Sequence, residues 1–381
     1  MPSWPLQPPT AATPGGSRPA RLARVRPRRA GSRAAALASA ALALAATACS
    51  SGTAAGGAGT AGRPGTLHGV ASVAFAGSLE ELATVKIGPG FERATGDGFE
   101  GRGGGSFGLA SEILSGEIDP GVFLSIGRAP IERLEPRRAR VAIELGSDPL
   151  VLAYSPRSRF APRLAEIARG QLPLADLFSL LGQPGFRLGR TDPTVDPQGR
   201  AFVMMVELAV EQLHLPPSTV TRVLGITAAN PVGNRSQIFD ETGLDATLEA
   251  GELDAASAFR SQALEYHLPF VPLPPSLDFG DPSDAAVYAS STLRLASGEI
   301  VHGTLLTLDA TLVSPPPGAP PRPAGDAAAD AAFLAYLLSP AGRGELEGAG
   351  YELFRPVVYG DAAVLPPVVA RELRADGARS R

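Results

Sequence analysis

Short apolar runs in this chain repeatedly end at a small or polar residue and continue as a helical pattern, which restricts the fold more than any other feature. Val70-Ala71-Ser72-Val73-Ala74-Phe75-Ala76 alternates like a strand and stops at Gly77-Ser78. Glu81 follows Ser78 by three residues, the spacing of a capping box, and Gly88-Pro89-Gly90 is expected to interrupt that helix. A second unit runs from Phe99 to Arg102 through Gly103-Gly104-Gly105-Ser106 into a helix with Leu109, Ile113 and Leu114 on one face. In a third, Phe186 to Arg190 leads through Thr191-Asp192-Pro193-Thr194-Val195-Asp196-Pro197 into a helix over Arg200 to Leu213. Asp196 before Pro197 combines a capping carboxylate with proline at the first helical position. Further strands are expected at Val122–Ile126, Leu150–Tyr154 and Leu253–Phe259, and helices at Leu244–Ala250 and Asp330–Leu338. Proline-rich loops are expected at 269–275 and 314–323. Strands alternating with helices imply an α/β fold with parallel sheets, whose ligands bind beyond the carboxyl ends of the strands. A helix start offers free N–H donors and a partial positive charge, which suits an anion. Taken singly, each of these serines and aspartates is better explained as a helix cap, and it is the set of junctions that points to a ligand.

Composition removes several function classes. The net charge is −4 although the first residues are strongly basic, so the rest is more acidic still and unsuited to nucleic acid. Cys49 is the only cysteine, which leaves neither a disulfide nor a cysteine metal site. His68, His214, His267 and His302 are scattered and never at metal-ligand spacing. Neither Gly-x-Ser-x-Gly nor His-Glu-x-x-His occurs, so the reading is a binding protein without cofactor, not an enzyme.

The beginning of the chain reads as an export segment. Arg18, Arg21, Arg24, Arg26, Arg28, Arg29 and Arg33 precede an apolar run from Ala34 to Ala48, followed by Cys49. The segment Leu44-Ala45-Ala46-Thr47-Ala48-Cys49 resembles the bacterial lipobox, which implies a signal peptide over 1–48 and lipidation of Cys49. Residues 49–66, rich in Gly, Ala, Ser and Thr, read as a flexible tether. Arg28-Arg29 leaves twin-arginine export open beside the general route, although no bulky apolar pair follows it.

At these junctions the chain resembles the tungstate/molybdate-binding proteins of ABC importers. The resemblance is carried by Ala76-Gly77-Ser78-Leu79, by Gly105-Ser106 and by Thr191 to Gly199 with its Asp-Pro-x-x-Asp-Pro motif. It continues through Leu248 to Ala255 and through Ala332 to Gly342, and so covers about residues 70–360. It implies a type II periplasmic binding protein: two α/β lobes with parallel-rich mixed sheets flanked by helices, closing on the ligand. Lobe 1 would comprise 67–153 and 303–360, lobe 2 would comprise 154–302, and 361–381 would be a tail. Ser78 and Ser106, with Gly77 and Gly105, would contact a tetrahedral oxyanion such as molybdate or tungstate. Asp196, with Asp192 as second choice, would approach its metal centre, and no other metal is implied. Some members add a glutamate after the motif that here reads Asp254-Ala255. Ala258 occupies that place, and Gly121 replaces a common acidic residue. The implied protein is monomeric, lipid-anchored to the outer face of the cytoplasmic membrane, and delivers its ligand to an ABC permease. Sulfate, phosphate or an organic acid is an alternative ligand, with Arg260, Arg102 or Arg128 supplying charge. A non-transport interaction lipoprotein is the other alternative.

Overall fold

A computed structural model describes residues 68–375 and 377–380. The expected export segment, Cys49 and the whole of the tether lie outside the described residues. Among those described, no helix is long and apolar enough to cross a membrane.

Fourteen strands are formed among the described residues: β1 Val70–Ala76, β2 Gly98–Gly104, β3 Val122–Ile126, β4 Val141–Ser147, β5 Leu150–Tyr154, β6 Leu188–Thr191, β7 Ile238–Phe239, β8 Ala255–Phe259, β9 Phe270–Pro272, β10 Thr292–Arg294, β11 Ile300–His302, β12 Thr307–Leu312, β13 Glu352–Gly360 and β14 Arg379–Ser380. They build a first sheet in the order β14-β13-β4-β12-β3-β1-β2 and a second in the order β7-β6-β8-β5-β9, with β10-β11 as a separate hairpin. Both sheets are mixed. β1 runs parallel to β2 and β3, whereas β12 is antiparallel to β3 and β4. In the second sheet β6 is parallel to β7 and β8, and β5 is antiparallel to β8 and β9. Two mixed sheets flanked by helices are the architecture of a type II periplasmic binding protein. The antiparallel members arise because the chain leaves the first sheet and later returns to its middle, which an alternating strand–helix pattern does not reveal.

Both faces of each sheet are covered, which explains the continuous apolar runs. In β3, Val122, Leu124 and Ile126 enter the main core while Phe123 enters the cluster with Leu109, Ala110 and Ile113. In β5, Leu150, Leu152 and Tyr154 join the main core, and Val151 and Ala153 pack behind it with Leu244 and Leu248. Leu114 lies 43 % exposed, off the face formed by Leu109 and Ile113. One residue past Ile113 is about 100° further round a helix, so the buried stripe ends there.

The helix after β1 does not break at Gly88-Pro89-Gly90. A tight first turn, Gly77–Leu79, widens over Leu82–Ile87 and continues as the α-helix Gly88–Thr95. The widened turn lets Pro89 start the α-helical part, where its missing N–H does no harm. No side chain caps the start, so the capping box expected from Ser78 and Glu81 is not formed. By contrast Asp196 caps the helix Pro197–Gln212 by accepting from Gln198 N. Residues 269–275 contain β9, and the chain beyond 360 adds the helix Pro367–Ala375 and β14.

The chain passes between the sheets twice, at Ser147–Leu150 and between β9 and β12. These connections run side by side: Asp148 N donates to Leu306 O at 3.0 Å, Leu306 N to Phe279 O at 2.8 Å, and Ser147 Oγ to Gly280 O at 2.7 Å.

Candidate functional site

The carboxyl ends of β1, β2 and β6 come together, and each is followed by a helix start. Against the first of these, Gly77 N donates to Glu241 Oε2 at 2.8 Å and Ser78 N donates to Glu241 Oε1 at 3.0 Å. Glu241 opens the helix Glu241–Glu249 that follows β7, so a carboxylate from the second sheet is seated on a helix start of the first. Glu241 was not singled out from the sequence. Its role comes from a contact 164 residues away in the chain, and the only local sign is an acidic residue in a first helical turn. At the second start, Gly105 precedes the helix Ser106–Ser115, and the N–H groups of Phe107 and Gly108 donate to Val195 O at 3.0 and 3.1 Å. Glycine is needed at both places for close approach. A Cβ on Gly77 would stand 2.7 Å from Glu241 Oε2, and one on Gly105 would stand 2.7 Å from Val195 O.

Of the sequence-derived residues, Gly77, Ser78, Gly105 and Asp196 converge here. Ser78 is buried and its Oγ has no hydrogen-bond partner. Ser106 is also buried, but its Oγ accepts from Ile126 N at 3.1 Å, tying its helix to the end of β3. Asp192 lines the cleft, and its Oδ1 accepts from Thr194 N at 2.8 Å in the turn that leads to Asp196. Asp196 Oδ1 accepts from Gln198 N at 2.7 Å while Oδ2 is buried without a partner. Beside these groups opens a cleft of about 640 Å³ lined by Gly103–Gly105, Thr191, Asp192, Asp196 and Asp240–Glu241.

Asp196 and Glu241 lie against one another in the interior. Burial pushes Asp196 up to about 6. Burial, then the neighbouring Asp196, raises Glu241 well above the usual carboxylate range. Two enclosed carboxyl groups cannot both ionise cheaply, so the pair retains a proton around neutrality. Arg190 is wholly buried on β6, with Nη2 donating to Val232 O at 2.6 Å and Nε and Nη1 unpaired. Loss of hydration lowers it to about 10, far above neutrality, so it remains charged.

Ala258 points away from this cleft, into the apolar cluster with Leu244, Leu248 and Ala263 behind the helix Glu241–Glu249. A glutamate there would be buried among aliphatic groups, and the second carboxyl group of the cleft is Glu241. Gly121 lies against the Asp330 carboxylate, where a Cβ would come within 1.9 Å of Oδ2. The three arginines considered as partners for an organic acid are engaged in ion pairs: Arg102 with Glu112, Arg128 with Glu132, and Arg260 with Glu352. Among the described residues, no three histidine, cysteine or acidic side chains are grouped to hold a metal ion.

The family profile described as bacterial extracellular solute-binding protein matches residues 71–352, which takes in the second sheet, most of the first and the whole cleft. The chain belongs to this family. A Haloferax volcanii relative provisionally named an ABC transporter molybdenum-binding protein is 30% identical over 254 residues, 67% of this chain and 75% of its own length. An uncharacterized solute-binding protein of Halobacterium salinarum is 28% identical over 256 residues, 63% of this chain and 73% of its own. Among solved structures, the periplasmic molybdate-binding protein of Azotobacter vinelandii is 17% identical with a TM-score of 0.46, covering 74% of this chain and 98% of that one. For a solute-binding protein, the cleft between its two sheets is the place where a solute would be enclosed.

Proposed function

We propose that this solute-binding protein is the extracytoplasmic, lipid-anchored component of an ABC importer and captures a tetrahedral oxyanion of the molybdate or tungstate kind. One observation carries the reading. The helix-start N–H groups of Gly77 and Ser78 converge on the Glu241 carboxyl group, so the helix start already holds two acceptor oxygens in a buried setting. An arriving oxyanion would take those donors in place of Glu241 and add Ser78 Oγ, a neutral donor suited to an oxyanion without a proton. Asp196 then faces the ligand, and the proton kept by the Asp196–Glu241 pair offsets the repulsion between like charges. In this reading Ser106 supports the site through its helix, Cys49 carries the lipid, the protein acts as a monomer, and the permease receives the anion. The Haloferax relative's name agrees with the ligand class.

The seated group is itself a carboxylate, which favours a small organic acid as the second reading. A thermal-shift screen separates the two. Molybdate or tungstate should raise the melting temperature of the delipidated protein in proportion to log concentration. Stabilisation by small carboxylic acids alone, with all metal oxyanions silent, would select the second reading.

A further inference from the structure

Two buried hydroxyls at this cradle are unused. Ser78 Oγ and Tyr351 Oη are both enclosed and neither has a hydrogen-bond partner. Tyr351 is 4 % exposed. Its phenol lies beside Ser78, Ser261 and Asp148 without completing a hydrogen bond to any of them, and burial raises its pKa well above the usual phenol value. Asp148 is already engaged, accepting from Ser261 N at 3.1 Å and from Ser261 Oγ.

The phenol is held by its backbone. Tyr351 N donates to Leu346 O at 3.1 Å, closing the turn after the helix Pro340–Gly348. The preceding Gly350 has φ +105°, and its carbonyl accepts from Arg260 Nε at 3.1 Å, on the far side of the passage between the sheets. A buried hydroxyl without a partner destabilises the fold that holds it, so two of them beside one helix start call for a reason. The Glu241 carboxyl group does not supply one: its two oxygens accept from Gly77 N and Ser78 N, and neither hydroxyl is placed to bond to it.

We propose that Tyr351 is a ligand-contacting residue whose hydroxyl, paired with that of Ser78, donates to oxygens of the bound anion that a carboxylate lacks. A tetrahedral anion presents four oxygens where Glu241 presents two, so it can satisfy the backbone pair and the hydroxyl pair together. The phenol is protonated at neutral pH and therefore a donor. The proposal rests on the oxyanion reading above. It adds a residue far along the chain, at the entry to β13, to a site otherwise built from Gly77, Ser78, Asp196 and Glu241.

Tyr351→Phe tests it, because binding and structural roles predict opposite patterns. Removing an unpaired buried hydroxyl should leave the ligand-free melting temperature unchanged or raise it. In calorimetric titrations with molybdate, tungstate, sulfate and phosphate, the anion that the wild type binds should bind the variant about tenfold more weakly or worse, the effect of one hydrogen bond to a charged acceptor. Unchanged affinity would overturn the proposal. So would a fall in melting temperature with affinity intact, which would assign the phenol to the Asp148–Ser261 cluster instead. If the wild type binds none of the four anions, the oxyanion reading falls and takes this role with it. That outcome is recognised by the silence of the wild type rather than by insensitivity of the variant.

Discussion

Glu241 is the residue on which the site turns. Its carboxylate satisfies two N–H groups that a helix start otherwise leaves free, at the expense of placing a second acid against Asp196. An external anion competes for the same donors. Glu241→Gln keeps the size of the side chain but replaces one of its two acceptor oxygens with a donor, so Gly77 N and Ser78 N are held less well and oxyanion affinity in titration should equal or exceed that of the wild type. A tenfold or greater loss would instead make Glu241 a direct ligand. Asp196 could be read from the sequence because Asp-Pro at a helix start is a local signal, and the structure shows the cap. Glu241 and Tyr351 could not. Each owes its position to pairing between distant segments, and nothing within ten residues of either distinguishes it from a surface glutamate or a core tyrosine.

At the scale of elements, the junction of the helix Ser106–Ser115 with the turn before Pro197 links the two sheets through Val195 O. Gly105→Ala places a methyl group against that carbonyl. The turn must then withdraw, and small-angle scattering of the ligand-free protein should show a larger radius of gyration. An unchanged radius would mean that this contact does not hold the two sheets together. Ser106→Ala acts differently. It strands the buried Ile126 N–H, an expected loss of about 1–3 kcal/mol in chemical denaturation. β1, β3, β5 and the helix Pro197–Gln212 were legible because their periodicity and end signals are local. β4 and β12 were not, since they owe their state to partners more than 150 residues away in the chain. Val357 and Val358 of β13, which also pair with β4, belong to the stretch expected in lobe 1 but gave no strand signal of their own.

Across the whole molecule, several carboxyl groups are enclosed with no full charge partner. Burial raises Asp148 and Asp245 to about 7, Asp309 to about 8 and Asp196 to about 6. In the unfolded chain these groups ionise near 4, so between about pH 4 and 8 the folded state binds more protons and stability falls as pH rises. The ligand-free protein should therefore melt at a higher temperature at pH 5 than at pH 8, and Asp309→Asn should reduce the difference. A melting temperature that rises from pH 5 to pH 8 would show that these acids are ionised in the fold. The same enclosed acids make an anion-binding cleft improbable from net charge alone. Capture depends on backbone N–H groups and hydroxyls instead of lysine or arginine, which is why composition gave no hint of a ligand.

The most direct test of that mode of capture is a calorimetric titration of the delipidated wild type and its Ser78→Ala variant with molybdate, tungstate, sulfate and phosphate. Saturable one-to-one binding of an oxyanion by the wild type, weakened about tenfold or more in the variant, is the predicted result. Binding of no oxyanion by the wild type, or equal binding by both proteins, would contradict it.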